Sequence, residues 1–263
     1  MNQIIKKEAL SENVFRIEVE APLIAKARRA GHFVIVKIGK YGERIPLTIV
    51  ESDTKNGTIT LIVQRVGKSS CKICNLREGE YITDLVGPLG RATHIERLGT
   101  VLCACGGVGA APMLPIAKAM KDVGNKIITV LAARTEGLII LEKEMQKISD
   151  EVIVMTDDGS YGEKGLVTAG VERVINREKV DLCVTIGPAI MMKFVSLLTK
   201  KLGVPTVASL NTIMVDGTGM CGACRVTVDG KTRFVCVDGP EFDAHKVDFD
   251  EMLIRLNAYK DYE

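Results

Sequence analysis

The 263-residue chain has no tryptophan, three histidines and no surplus of charge, with 35 basic against 33 acidic residues and a net charge of +2. The balance excludes the one-sided basic stripe that nucleic-acid binding requires, so no polyanion partner is expected. His32, His94 and His245 share no spacing, which makes each a surface or satisfied core side chain rather than a catalyst. Aromatic residues make up 4% of the chain against 46% apolar residues, which fits an α/β or mixed protein with a substantial core, and the length is enough for two compact units. The opening MNQIIKKEALSENVF carries charges where a secretory signal needs an apolar stretch, so the expected location is cytoplasmic. In that reducing compartment the eight cysteines read as ligands or buried thiols, not disulfides. One uncharged run, Leu98 to Ala117, is long enough to suggest a membrane span, but Gly99, Gly106, Gly107, Gly109, Pro112 and Pro115 interrupt it. A strand, a glycine turn and an alanine-rich helix account for it, and no membrane partner is expected.

Two rhythms and a third segment divide the chain. Residues 1 to about 97 alternate short apolar runs with turn signals (NVFRIEVE, GHFVIVKIG, TITLIVQRV, EYITDLVGPLG), the period-two pattern of half-buried strands in a small antiparallel barrel. From 98 to 210, TVLCACGG, KIITVLAAR, EVIVMTDDG, VDLCVTIGP and VPTVAS alternate with helical segments such as AAPMLPIAKAMKDVG, which implies a parallel sheet covered on both faces. From 211 to 263 come a cysteine-bearing stretch, a hairpin VTVDGKTRFVCV turning at Asp229-Gly230, and a short amphipathic helix in VDFDEMLIRLNAYK. The expected class is therefore multi-domain β plus α/β.

Asp216, Cys221, Cys224 and Cys236 lie in DGTGMCGACRVTVDGKTRFVCVDG, a C-x2-C pair with a third cysteine on the following hairpin. A 2Fe-2S centre usually takes four thiolates, and Gly217, Gly219, Gly222 and Ala223 supply the small residues that let backbone wrap the sulfides. With three thiols in the segment, a carboxylate oxygen of Asp216 is the favoured fourth ligand. Two other readings stand beside it: Asp216 as a plain Asp-Gly turn, and a zinc site completed by His245. Cys71 and Cys74 form another C-x2-C, but at helical spacing they read as packed thiols, as do Cys103, Cys105 and Cys183 within strands.

Gly106, Gly107, Gly109 and Pro112 sit where a strand turns into a helix, and missing side chains there let backbone N–H groups approach a pyrophosphate. The next strand ends at Arg134 with Glu136 beyond it; the arginine suits a 2'-phosphate and the glutamate a ribose diol, so NAD and NADP both remain open. In the barrel, Arg44-Ile45-Pro46-Leu47-Thr48 places a guanidinium fork and a hydroxyl at the start of a strand, and Gly67-Lys68-Ser69-Ser70 precedes a short helix.

RIPLT in a barrel, GKSS at its rim and GGVGAAP opening a nucleotide fold together resemble the ferredoxin-NADP reductase superfamily. With the cysteine segment, the chain is similar to electron-transfer subunits typified by the dihydroorotate dehydrogenase iron-sulfur flavoprotein. There the first cluster ligand is a cysteine five residues before the C-x2-C pair, the place Asp216 holds here. That departure, with TDDGSYGEKGLVT and DGPEFDAHKVDFDEML, resembles small subunits of the electron-bifurcating NADH-dependent reduced ferredoxin:NADP oxidoreductase family, which is similar to sulfide dehydrogenase small subunits.

The resemblance implies an FAD-binding barrel at 1–97, an NAD(P)-binding domain at 98–210 and a 2Fe-2S lobe at 211–263. By it, Arg44 would hold an FAD phosphate, and Pro46, Leu47 and Thr48 would line the isoalloxazine with Thr48 near N5. Ile62, Val63 and Gln64 would flank the ribityl chain and ring, and Gly67, Ser69 and Ser70 the pyrophosphate. Gly106, Gly107, Gly109, Pro112, Arg134, Asp157, Asp158, Gly187 and Pro188 would contact NAD(H). The cysteine usual before that Gly-Pro is Ile186 here, so no thiol role beside the nicotinamide is expected. The implied enzyme is an NAD(P)H oxidoreductase subunit, moving electrons between NAD(H), FAD and the cluster to a larger glutamate-synthase-like flavin and iron-sulfur subunit, in a heterodimer that acts on ferredoxin and NADP. The alternatives are an electron-transfer subunit of a dihydroorotate dehydrogenase and, in another class, a non-catalytic metal-containing docking subunit.

Overall fold

The computed structural model describes residues 2–258, so the end of the expected C-terminal helical segment, residues 259 and 260, lies outside the described residues. The first lobe holds β1 (Ile4–Ser11), β2 (Val14–Glu20), α1 (Pro22–Ala27), β3 (Phe33–Lys37), β4 (Arg44–Asp53), β5 (Thr58–Gln64), α2 (Lys68–Asn75) and β6 (Asp84–Leu89). The six strands pair antiparallel in the order β1-β2-β5-β4-β3-β6. The expected barrel takes the form of a curled sheet whose ends meet at one bridge, Gln3 with Tyr81, just before β6. β4 makes the corner: Arg44 to Thr48 pair with β3, and Ile49 to Asp53 pair with β5 across a bulge.

β3 was expected to be half-buried, and it is buried on both faces. Val34 and Val36 enter the barrel core, while Phe33 and Ile35 point the other way into a core shared with the nucleotide sheet and the C-terminal lobe. The near-continuous apolar run FVIV is what a doubly covered strand needs.

The second lobe alternates β7 (Thr100–Gly106), α3 (Ala110–Asp122), β8 (Lys126–Ala133), α4 (Glu142–Ile148), β9 (Glu151–Thr156), β10 (Glu163–Lys164), α5 (Val167–Arg177), β11 (Leu182–Ile186), α6 (Ala189–Lys201) and β12 (Thr206–Ser209). The order β10-β9-β8-β7-β11-β12 reverses direction between β7 and β11, which opens a crevice beyond their carboxyl ends. The run Leu98 to Ala117 resolves into β7 and the first half of α3, and no described helix is long and apolar enough to cross a membrane.

The C-terminal lobe folds as β13 (Arg225–Val228), β14 (Lys231–Phe234), α7 (Val235–Asp238), β15 (Glu241–Asp243) and α8 (Phe249–Asn257). The expected hairpin turns at Asp229 and Gly230, both with positive φ, as a two-residue loop requires. Cys236 is not on the hairpin strand but on the helical turn after it. Phe234 N–H donates to Asp238 Oδ2 at 2.8 Å and Val235 N–H to the Cys224 carbonyl at 3.2 Å, which bends the chain there. β15, unforeseen in the sequence, pairs antiparallel with β12 and completes the edge of the nucleotide sheet.

Asn125 ties the first two lobes at their junction. Its Oδ1 accepts from Leu98 N–H at 2.7 Å and Gly99 N–H at 3.0 Å, and its Nδ2 donates to the carbonyls of Glu96 at 2.8 Å and Met120 at 2.9 Å. Asn125 is itself buried, and Asn125→Ala removes all four bonds, so it is expected to lower stability by about 1–2 kcal/mol, read from urea unfolding; an unchanged midpoint contradicts this role.

Candidate functional site

A cleft of about 1310 Å³ opens at the β7/β11 crevice, with the barrel as its other wall. Pro46, Leu47 and Thr48 reach it from β4. Ile62 and Gln64 reach it from β5, whereas Val63, one step off in the strand alternation, points into the barrel core and can offer the cleft only backbone. Gly106, Gly107, Gly109 and Pro112 form the opposite wall, with Gly187 and Pro188 beside them. Gly107 has φ +55° and an open Cβ position, and α3 begins three residues later with no side chain capping its N–H groups. A backbone cradle of this kind is where a pyrophosphate binds.

Arg44 Nε is buried without a hydrogen-bond partner among the described residues. A buried unpaired guanidinium N–H is costly, and Arg28 Nε and Arg65 Nε share that state; a phosphate oxygen is one acceptor that would remove the cost at Arg44. The neighbouring GKSS turn is partly committed to the fold: Ser70 Oγ accepts from the N–H groups of Val66 at 3.0 Å and Gly67 at 2.9 Å, and Ser69 Oγ donates to Glu43 Oε2 at 2.5 Å. At the far end, Arg134 and Asp157 line the cleft. Asp158 lies outside its lining, accepting from Ser160 N–H at 3.0 Å and Ser160 Oγ at 2.7 Å, bonds that hold its carboxyl below the usual range. Asn211, which sequence reasoning missed, also lines the cleft, just beyond the end of β12. The rule that ligands gather past the carboxyl ends of parallel strands is the signal that could have found it.

The cysteine loop sits behind this cleft. Asp216 plays the turn role and more: Oδ1 accepts from Thr218 N–H and Oδ2 from Cys221 N–H, each at 2.9 Å. These bonds, that of Thr218 first, hold its carboxyl below the usual carboxylate range. Cys221 is exposed, while Cys224 and Cys236 are buried with their sulfurs 3.2 Å apart. Burial, and then the Cys224 sulfur, push the Cys236 thiol up to about 12. Two buried sulfurs in contact ionise readily only when a metal cation accepts them, so the donor set fits iron. Among the described residues no three His, Cys, Asp or Glu side chains close around a single ion; a two-iron cluster, whose ligands divide between two metals, does not require that. The His245 ring, proposed as a zinc ligand, meets Thr199 Oγ1 at 3.1 Å instead.

The remaining thiols are core. Cys74 is buried and Cys71 half-buried on α2, and burial pushes Cys103 up to about 12 and raises Cys105 and Cys183 as well.

This cleft between a curled antiparallel sheet and a parallel nucleotide sheet defines the ferredoxin-reductase fold. The cytochrome b5 reductase domain of Ulva prolifera nitrate reductase shares it, with a TM-score of 0.64 at 20% identity over 77% of this chain and 92% of that one. Residues 104–197 match the oxidoreductase NAD-binding domain model, and residues 211–248 the iron-sulfur cluster binding domain of dihydroorotate dehydrogenase B. The Thermotoga maritima dihydroorotate dehydrogenase B (NAD(+)) electron transfer subunit homolog is 48% identical over all of this chain and 93% of the relative. The Desulforamulus reducens electron transfer subunit is 30% identical over 90% of this chain and 94% of its own length. A solved structure of NADH-dependent reduced ferredoxin-NADP oxidoreductase aligns with a TM-score of 0.95 at 47% identity, over 99% of this chain and 94% of that one.

The chain belongs to the family of dihydroorotate dehydrogenase B electron transfer subunits and their homologues. It is an electron-transfer oxidoreductase subunit with NAD-binding and iron-sulfur-binding domains on a flavin-binding fold, and a partner subunit completes the complex. The docking-only alternative gives way to this assignment.

After chelation of iron, alkylation mapped by mass spectrometry is expected to modify exposed Cys221 first and Cys224 and Cys236 more slowly, with Cys103, Cys105 and Cys183 reacting only on unfolding. Equal rates at all eight thiols contradict the burial pattern.

Proposed function

We propose that the chain takes a hydride from NADH onto FAD held at the barrel and passes single electrons to a 2Fe-2S cluster held by Asp216, Cys221, Cys224 and Cys236, for delivery to a larger glutamate-synthase-like flavin and iron-sulfur subunit that acts on ferredoxin and NADP. The working division is 1–97 for FAD, 98–210 for the nicotinamide nucleotide and 211–263 for the cluster, in a cytoplasmic heterodimer.

The observation that carries this reading is adjacency. Ile35 is the direct cross-strand partner of Pro46, and a Cβ on Gly217 of the cysteine loop would lie 2.8 Å from Ile35 Cγ1. The loop therefore rests one strand away from the wall assigned to the isoalloxazine.

Bound FAD supplies conversion between two-electron and one-electron chemistry. Arg44 binds a flavin phosphate, and Gly67 and Ser69 border the pyrophosphate, Ser70 shaping their turn. Pro46, Leu47 and Thr48 would line the ring, with Thr48 the residue assigned near N5, and Ile62, Gln64 and the Val63 backbone would flank it. Gly106, Gly107, Gly109 and Pro112 seat the nicotinamide nucleotide beside Gly187 and Pro188, and Arg134 with Asp157 borders its far end, Asp158 shaping the turn beside them through its bonds to Ser160. The protein's work is orientation and exclusion of water, since hydride transfer between stacked rings needs no acid-base triad. A second reading, delivery to a dihydroorotate dehydrogenase, is favoured by the family model over 211–248; co-expression with each kind of partner decides between them by which one forms a stable complex.

Arg44→Ala removes a charge-assisted bond to phosphate and is expected to weaken FAD binding about 10- to 100-fold by fluorescence titration; unchanged affinity overturns its role. Asp216→Cys should keep a cluster but move its midpoint potential in a redox titration followed by EPR. An unchanged potential and spectrum remove Asp216 from the ligand set.

A further inference from the structure

Beyond the residues assigned to cofactors, Ile35 and Leu89 have no ligand role, yet both lie directly beneath the cysteine loop. Gly217 has φ +76°, and a Cβ there would stand 2.6 Å from Leu89 Cδ1 and 2.8 Å from Ile35 Cγ1. The loop backbone is thus already at closest approach to these two side chains, and neither can grow without lifting it. Ile35 has no exposed surface and pairs with Pro46; Phe33, two residues earlier in β3, pairs with both Thr48 and Leu89. The same strand that supports the loop therefore carries the register of the Pro46-Leu47-Thr48 wall.

The segment between cleft and loop is short as well. Asn211 lines the cleft and Asp216 opens the loop five residues later, a reach of at most about 18 Å even if fully extended. The arm cannot swing far, so small changes in the packing beneath Gly217 convert directly into changes of spacing.

We propose that Ile35 and Leu89 are positioning residues that set the gap between flavin and cluster, an inference that rests on the cofactor placement proposed above. The step they govern is passage of one electron from reduced flavin to oxidised cluster, with no covalent bond made or broken and the NADH hydride as the electron source. Pro46, Leu47 and Thr48 meet the flavin from the cleft, whereas Gly217 meets Ile35 and Leu89 from behind. A wedge at this seam moves the loop and spares the hydride-transfer face.

The test uses holoprotein carrying FAD and cluster, with Ile35→Phe and Leu89→Phe as wedges; Leu89 is half-buried on β6, so its variant keeps the test open should Ile35→Phe, at a fully buried position, fail to fold. The first readout, in the oxidised state, is the flavin fluorescence lifetime, which a nearby iron centre shortens. The second is the rate at which the cluster bleaches after one addition of NADH. Expected are a longer lifetime and bleaching slower by on the order of tenfold, while flavin reduction by NADH keeps its rate. If chelating the cluster from the unaltered protein leaves the lifetime unchanged, the cofactor placement itself fails and the inference with it. If chelation lengthens the lifetime but folded wedge variants match the unaltered protein, the placement stands and the spacing role is overturned. Loss of the cluster from both variants also overturns it, making the contact a support for cluster binding instead.

Discussion

The whole arrangement depends on β3 being buried on both faces. Its alternation sends Val34 and Val36 into the barrel and Phe33 and Ile35 into the core formed with Ala189, Met192, Ala208 and the C-terminal lobe. A strand with one wet face holds one neighbour; this strand holds three lobes in fixed relation. Burying a Phe and an Ile side chain contributes roughly 3–6 kcal/mol in transfer terms, enough to make the seam a permanent contact rather than a hinge. β15 reinforces it by adding a C-terminal strand to the edge of the nucleotide sheet, and Arg91 adds a bond from its Nε to the Val237 carbonyl at 3.0 Å.

The chemistry follows from that geometry. The parallel sheet opens a crevice where its strand order reverses between β7 and β11, the barrel covers the opening, and the cysteine loop sits behind the strand next to the barrel wall. Hydride acceptance needs two flat rings held in contact; onward transfer of single electrons needs a metal centre near the ring but out of the nucleotide's way. One curled sheet, approached from its two faces, serves both requirements without any residue having to do both jobs.

Much of this was legible in the sequence. Strand-and-helix alternation from 98 to 210 gave the parallel sheet because buried strands there are short uninterrupted Val/Ile/Leu runs, and GGVGAAP marked the turn because a close backbone approach leaves no room for side chains. Spacing alone gathered Cys221, Cys224 and Cys236, and the structure brings the last two into sulfur contact. What was missed was tertiary in origin. FVIV reads locally as a half-buried strand, since nothing in the neighbouring sequence shows what covers its second face. Glu241–Asp243 is too short to declare itself a strand without its partner β12, Val63 was grouped with its cleft-facing neighbours although alternation turns it inward, and the hairpin ends before Cys236 because of bonds to Asp238 and Cys224.

The central claim is that a flavin and a two-iron cluster in this chain draw on one NADH-fed electron supply. Anaerobic titration of the purified holoprotein with NADH, followed by visible absorbance and EPR, tests it most directly. Uptake of about three electrons per chain, two by the flavin and one by the cluster, is the predicted result. Uptake that stops at the flavin, with the cluster oxidised at every NADH level, contradicts it.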